Sequence, residues 1–256
     1  GSGDYMNIVI SDSEFKLNET NGSGGAIYAS GKRQSSNVDL DVRNCKFEEN
    51  TAGEKGGVVY AHIPTRVYFK DSEFNKNESA SGAVAYFEGG TINFNHVSFT
   101  NNTSSGSGGV MYLAKGTYTV EDENGEEVSV SEGANVTMND VTATGNKASG
   151  NGGFAMCNTS EVKIYNSKIN QNTAKAGSAF YFATGATADI YNSEISQNAC
   201  LESNTGNAGA IALATGGTKI TLDTCELSEN TSAGYGGAIL VTGPSLMDLF
   251  NITFCT

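Results

Sequence analysis

The segment Val67-Tyr68-Phe69-Lys70-Asp71-Ser72-Glu73-Phe74 recurs in nine variant copies along a chain of 256 residues. Its first, third and eighth positions are apolar in every copy, with Ala143 and Ala188 as the smallest members, whereas its second and fourth positions vary. Alternation of this kind is typical of a β-strand that buries one face. The other copies of this octamer span residues 8–15, 40–47, 92–99, 136–143, 162–169, 188–195, 220–227 and 247–254.

The octamer also predicts a bend within each copy. Its fifth position is mostly Asp or Asn, and its sixth position holds mainly small side chains such as Ser72 and Cys45. Asp and Asn bend a chain because their side chains bond the neighbouring backbone.

An asparagine stands three residues after the end of each of the first eight octamers. Such uniformity predicts a buried turn whose side-chain amides stack on one another from coil to coil, which satisfies backbone and side chain together. The alternative is a set of independent turn asparagines. The predicted ladder contains Asn18, Asn50, Asn77, Asn102, Asn146, Asn172, Asn198 and Asn230.

A glycine-led strand follows each asparagine, as in Gly24-Gly25-Ala26-Ile27-Tyr28, and glycine permits a positive φ or a close backbone approach. Successive ladder asparagines are 32, 27, 25, 44, 26, 26 and 32 residues apart. One coil per repeat predicts an all-β fold, a single-stranded parallel β-helix or solenoid of about nine coils. We expect a right-handed helix, because parallel crossovers are almost always right-handed. The rod would be about 40 Å long.

We expect residues 1–256 to form a single domain with a hairpin insertion at about 116–134, where Asn124-Gly125 separates two alternating segments. The acidic tip of this hairpin is either a solvated turn or a contact for calcium or a partner. Neither end shows a capping element, so we also expect a fragment of a longer repeat protein that tends to associate end to end.

Charge and composition exclude several classes of function. The net charge is −13, which leaves no basic surface for nucleic acid. No apolar run approaches the length of about 18 residues that a membrane span needs, so we expect no direct membrane insertion. The five cysteines form no CxxC pair, and we predict no metal site and no cofactor.

Catalytic motifs are equally scarce. His62 and His96 are isolated in the sequence, and the carboxylates at the second octamer position, such as Asp41 and Asp189, lie in different coils. We therefore expect a non-catalytic protein. The alternative is a polysaccharide lyase or glycoside hydrolase, which would need several carboxylates and a base gathered on one face.

The paired motifs GGA[ILV] and FxxN resemble the repeats of the chlamydial polymorphic outer-membrane proteins. Direct matches are Gly24-Gly25-Ala26-Ile27, Gly236-Gly237-Ala238-Ile239, Phe15-Lys16-Leu17-Asn18, Phe47-Glu48-Glu49-Asn50, Phe74-Asn75-Lys76-Asn77 and Phe99-Thr100-Asn101-Asn102. The resemblance implies an autotransporter passenger associated with adhesion, located outside the cell or on its surface. Similar repeats in large protist surface proteins leave the source open.

Candidate contact residues follow from the same repeats. An aromatic side chain often follows the GGAI motif, and alternation would turn it outward, which predicts an exposed stripe of Tyr28, Tyr60, Tyr86, Tyr112 and Tyr181. The alternative is that these rings pack under a loop or face inward. The partners we expect are surface proteins, glycans, and other copies or neighbouring segments of the same protein.

Several asparagines lie in N-glycosylation sequons. If the host is eukaryotic, we expect the ladder asparagines among them to stay bare because they are buried. The candidates for glycosylation are Asn21, Asn101, Asn135 and Asn158.

Overall fold

The computed structural model describes residues 5–31, 37–62, 65–201, 209–250 and 252–255. Within these ranges every regular element is a β-strand, and all strands but the two of one hairpin stack in parallel into three long sheets, A, B and C. Nine strands of sheet A lie side by side, one from the first part of each octamer. The prediction of an all-β parallel β-helix of about nine coils is confirmed.

Sheet A contains the octamers, and its strands pair in register so that equal octamer positions face each other. Its nine main strands are Tyr5–Ser11, Asn37–Arg43, Thr65–Asn75, Thr91–Thr100, Asn135–Thr144, Glu161–Tyr165, Thr187–Tyr191, Lys219–Asp223 and Leu246–Phe250. Beyond the bend, six short strands form a second arm: Glu14–Lys16, Lys46–Glu48, Lys168–Asn170, Glu194–Ser196, Glu226–Ser228 and Thr253–Cys255.

The bend lies at the fifth octamer position. Asp71 there has a φ of +50°, in the left-handed region, and the equivalent residues of the other coils from Asp12 to Thr224 do the same. This conformation shifts the phase of the alternation, so that Lys70 and Asp71 are both exposed while Ser72 and Phe74 turn inward again. A single strand thereby covers two sides of the core.

Sheets B and C complete each coil. Sheet B consists of Glu19–Thr20, Thr51–Lys55, Glu78–Ser81, Thr103–Ser104, Lys147–Ala148, Thr173–Ala174, Ala199–Cys200 and Thr231–Ser232. Sheet C consists of the glycine-led strands Ile27–Ser30, Val59–His62, Ala85–Glu88, Met111–Ala114, Ala155–Asn158, Phe180–Ala183, Ile211–Leu213 and Ile239–Val241. Between sheet C and the next octamer, Gly116–Glu121 and Glu127–Glu132 pair as an antiparallel hairpin.

The core is filled by columns of like side chains. The rings of Phe47 and Phe74, at the eighth octamer position, stack with centroids 4.8 Å apart, and Phe99 lies 5.1 Å beyond Phe74. The column then narrows to Ala143, and the space is taken by Phe154, which directly precedes the sheet C strand Ala155–Asn158 and whose ring lies 6.0 Å from that of Phe99. The small residue in sheet A is therefore compensated by a large residue from another part of the coil, which preserves packing density.

Candidate functional site

The ladder asparagines form one continuous chain of hydrogen bonds. Asn102 donates from its backbone N and its Nδ2 to Asn146 Oδ1, at 3.0 and 2.9 Å. Asn146 donates in the same way to Asn172 Oδ1, and its second Nδ2 hydrogen goes to the carbonyl of Phe99 at 3.0 Å. Each buried amide thus uses both donors and both lone pairs, which explains why neither aspartate nor leucine occupies the position.

The two ends of this ladder differ from its middle. The six asparagines from Asn50 to Asn198 have no exposed surface. Asn230 is only partly buried, and Asn18 is exposed although it donates to Asn50 Oδ1 at 2.7 Å. The expectation of a buried amide was therefore wrong for Asn18, because no described coil covers its other side.

The octamer bend carries a second ladder that the sequence analysis did not identify. At the sixth position Ser167 donates from its hydroxyl to the carbonyl of Tyr165 at 2.7 Å, and accepts from the backbone N of Val141 at 3.1 Å. Ser193 repeats both contacts one coil later. In the sequence, this ladder corresponds to the column of small residues at the sixth octamer position. Serine and cysteine in that column have a hydroxyl or thiol group that can form hydrogen bonds, whereas valine has none.

The predicted tyrosine stripe is a stack rather than an exposed surface. The tyrosines lie on the side of sheet C opposite the core, since the residues on either side of each belong to the core cluster and the tyrosines do not. Tyr28 is 63% exposed, but Tyr60 and Tyr86 are only 8% and 9% exposed. Their rings stack at 5.0 and 6.1 Å along the rod, so each ring covers the next. The expectation of an exposed row was wrong for Tyr60 and Tyr86.

Two charged side chains cover this stack further. The ammonium group of Lys55 lies 4.5 Å from the ring centroid of Tyr86 and 2.7 Å from a carboxylate oxygen of Glu88. The other oxygen of Glu88 accepts the hydroxyl of Tyr60 at 2.8 Å. Burial raises the pKa of both Tyr60 and Tyr86 above the usual value, so both hydroxyl groups stay neutral. The cluster contains an ion pair between Lys55 and Glu88 that joins two adjacent coils.

The remaining tyrosines of the predicted stripe are not contiguous. Tyr112 stacks on Tyr86 at 4.7 Å and is partly buried. The next residue in register is Met156, and Tyr181 follows it one coil later. The aromatic column therefore extends over four coils and is then interrupted.

The hairpin tip is organised by its own backbone. Asp122 Oδ1 accepts the backbone N–H groups of Asn124 and Glu126 at 2.8 and 2.9 Å, and these bonds lower the pKa of Asp122. Across the described residues, no group of three or more His, Cys, Asp or Glu side chains is arranged to hold a metal ion.

The candidate glycosylation sites differ in accessibility. Asn21, Asn101 and Asn135 are exposed, and Asn158 is partly buried. Cys45, Cys157, Cys200 and Cys225 are buried.

His96 lies between two carboxylates of adjacent coils and bonds one of them. Its Nδ1 lies 2.8 Å from Asp71 Oδ1, and Asp140 occupies the equivalent bend position of the next coil. Together with Glu73 these residues line a shallow depression of about 420 Å³. The side chains of His96 and Asp71 are 68% and 45% exposed, so solvent screens the pair.

We expect His96 to titrate above its usual range. The hydrogen bond to Asp71, and then the charge of Asp140, raise the pKa of His96 above 6.5. Its contribution to stability is therefore complete below the unfolded pKa and is lost as the pH rises through the folded pKa. NMR titration of the imidazole should show a larger downward shift for Asp71→Asn than for Asp140→Asn. An unchanged pKa in Asp71→Asn would contradict the contact.

The outward face of sheet A contains a second, larger concavity. It has a volume of about 590 Å³ and lies across the main strands of the second to fifth coils. Two rows of side chains line it, from the second octamer position (Asp41 to Thr137) and from the fourth (Arg43 to Asn139). We call it the sheet A groove.

Comparison with known families matches the Chlamydia polymorphic membrane protein repeat at residues 12–30, 44–62 and 224–242. Each matched segment begins at the bend residue of an octamer, passes through the ladder asparagine and ends at or just after the strand of sheet C. The repeat unit of the family thus coincides with most of one coil.

A similar curated protein is the probable autotransporter YfaL of Escherichia coli (strain K12). It is 34% identical over 124 residues, which cover 41% of this chain and 10% of that protein. The chain therefore spans about a tenth of the length of this relative. No solved structure gives a significant match.

No helix in the described part of the chain has the length and hydropathy needed to cross a membrane. The predicted resemblance and the predicted location at the cell surface are confirmed by the matched repeats and the autotransporter relative. The chain is a cell-surface β-helix, and its repeats are similar to those of the Chlamydia polymorphic membrane proteins.

Proposed function

We propose that this chain is a non-catalytic adhesive segment of a surface protein, and that its rod presents contact residues to proteins or glycans. The observation that supports the proposal is that the repeat divides into buried positions, which are alike from coil to coil, and outward positions, which vary. The positions that are alike from coil to coil, such as the ladder position of Asn146 and the apolar core position of Phe74, are buried in most coils. The outward positions change from coil to coil, as in the series Asp41, Tyr68, Asn93.

This division suits a display scaffold. A rod of regular coils supplies a rigid support, and the side chains on its faces are free to vary without loss of the fold. Further partners in this proposal are other β-helical segments of the same protein or of neighbouring copies. The matched autotransporter is consistent with a passenger that is carried on a cell surface.

The test is a binding assay with the folded chain coupled to fluorescent beads. We expect saturable attachment to cultured epithelial cells or to bacterial cells, several-fold above beads that carry an unrelated β-helix of similar net charge. Treatment of the cells with protease or with periodate would show whether the receptor is protein or glycan. Attachment no greater than that of the control on every cell type would contradict an adhesive role.

The carbohydrate-active alternative is favoured by one feature, the depression that gathers Asp71, Glu73, Asp140 and His96. Against it, His96 and Asp71 are well exposed, and a catalytic acid or base is usually shielded and perturbed by burial. Incubation with a panel of polysaccharides would test it directly. Release of reducing ends or unsaturated products by the wild type, and loss of that release in His96→Gln, would replace the adhesive proposal with an enzymatic one.

A further inference from the structure

We propose that the sheet A groove binds an uncharged oligosaccharide that lies along the rod axis. This inference rests on the adhesive function proposed above and names the ligand class and the surface. The groove lies on sheet A and the tyrosine stack on sheet C, so the groove is a different surface from the stripe that the sequence predicted. Its volume of about 590 Å³ lies within the range of small-molecule sites.

The charges at the groove are largely neutralised by one another. Arg43 makes a bidentate pair with Asp41, with Nε to Oδ1 at 2.9 Å and Nη2 to Oδ2 at 2.5 Å. The ammonium group of Lys70 lies 3.9 Å from the carboxylate of Asp71, at the bend. A bound anion would have to break such pairs and approach a chain of net charge −13. The electrostatics therefore favour a neutral ligand over a sulfated or sialylated one.

Uncharged hydrogen-bonding groups are available between these charges. Tyr68, Asn93 and Thr137 lie in register on three successive coils. Across the described residues, none of these three side chains has a hydrogen-bond partner. In the parallel row, Asn139 donates to Asn95 at 3.4 Å, a weak bond that a ligand hydroxyl can replace. Such amides and hydroxyls both donate and accept, as sugar hydroxyls do.

Tyr68 supplies the apolar contact. It is 39% exposed, and its ring has no aromatic partner in the described chain, unlike Tyr60 and Tyr86. An exposed aromatic ring beside amide groups is suited to stack on the flat face of a pyranose while the amides bond its hydroxyls. The coils repeat every 4.8 Å or so. That rise is close to the length that one ring adds to an extended glycan, so equivalent side chains would meet successive sugars.

A peptide strand is a poorer occupant. Peptides commonly join sheets at an edge, where backbone groups are unpaired. The groove lies across the face of sheet A, where the main strands pair with neighbours on both sides. Only side chains are offered there, which suits a ligand rich in hydroxyl groups.

The test is titration calorimetry of the intact chain with neutral oligosaccharides, namely hexamers of β-linked glucose, mannose and N-acetylglucosamine and a poly-N-acetyllactosamine fragment. Heparin and polysialic acid serve as acidic probes. We expect saturable binding of at least one neutral oligosaccharide, weakened about tenfold or more by Tyr68→Ala and by Asn93→Ala. Tyr28→Ala, which removes an exposed tyrosine from sheet C, should leave the affinity unchanged.

Three results would overturn the inference: no neutral oligosaccharide bound at millimolar concentration, binding of the acidic probes alone, or affinity unaffected by Tyr68→Ala in a variant with wild-type melting temperature. The bead assay separates this failure from failure of the adhesive function. If cells still bind the Tyr68→Ala, Asn93→Ala double variant as strongly as wild type, adhesion stands and the groove is not its site. If wild-type beads do not bind cells, the adhesive proposal itself fails.

Discussion

Replacing Asn146 with leucine is expected to lower the free energy of unfolding by about 3–5 kcal/mol. Asn146 is fully buried and its Oδ1 accepts two hydrogen bonds from Asn102. Its two amide hydrogens satisfy the carbonyl of Phe99 and the side chain of Asn172. Leucine fills much of the space but removes all four of these hydrogen bonds. The backbone N–H of Asn102 then has no partner, and the side chains of Asn102 and Asn172 each keep only part of their bonding. Urea unfolding followed by circular dichroism measures the change.

The matched control for Asn146→Leu is Asn93→Gln, on the outward face of the same sheet system. Asn93 makes no side-chain hydrogen bond within the described chain and is partly exposed, so its replacement should change the unfolding free energy by no more than about 0.5 kcal/mol. If the two variants were equally stable, the amide ladder would not contribute to the fold.

Gly152→Ala should destabilise the rod by about 2–4 kcal/mol. Gly152 has a φ of +72°, and a Cβ atom there would lie 2.4 Å from the carbonyl oxygen of Ala155 and 2.6 Å from the backbone N of Met156. Both neighbours are backbone atoms of the strand that closes the coil, so neither can move without breaking the pairing of sheet C. The thermal midpoint of unfolding gives a direct reading.

Gly185→Ala distinguishes the two causes of the lost stability, namely the positive φ and the close approach of the backbone. Gly185 has the same φ of +72°, but the nearest atom to its added Cβ would be 4.0 Å away. Its replacement should therefore cost only the conformational strain, about 1 kcal/mol. A Gly185→Ala variant as unstable as Gly152→Ala would show that φ alone, and not the close approach of the backbone, requires glycine at the start of sheet C.

The surface chemistry of the rod has consequences for how such a protein evolves contacts. The scaffold residues are locked by the coils above and below them, whereas Tyr68 or Asn93 can change without disturbing the ladder. A repeat protein of this type can therefore acquire a new ligand through outward positions alone. The sheet A groove and the Asp71–His96 pair are two such local arrangements on one uniform support.

Much of the fold was determined by the sequence alone, because its signals are local and repeated. The alternation within Val67 to Phe74 decides which side chains face the core, and it does so again in every octamer. The ladder asparagines recur at a fixed distance from the octamer, so their common environment could be predicted without coordinates. The paired GGA[ILV] and FxxN motifs were sufficient to identify the family that the repeats resemble and the cell surface as their location.

Other properties depend on which coil lies beside which, and only the tertiary structure decided them. Tyr60 and Tyr86 occupy the same position of the repeat as the exposed Tyr28. They are nevertheless buried, because their rings stack on neighbouring rings and Lys55 lies over them. Asn18 shares the ladder motif but lies at its exposed end. His96 bonds Asp71, which lies 25 residues away in the sequence, and Asn102 bonds Asn146, which lies 44 residues away. The periodicity of a strand determines which way each of its side chains points. The burial and the partners of that side chain are determined by residues one coil away. The number of residues between such neighbours varies, because the insertions differ in length from coil to coil.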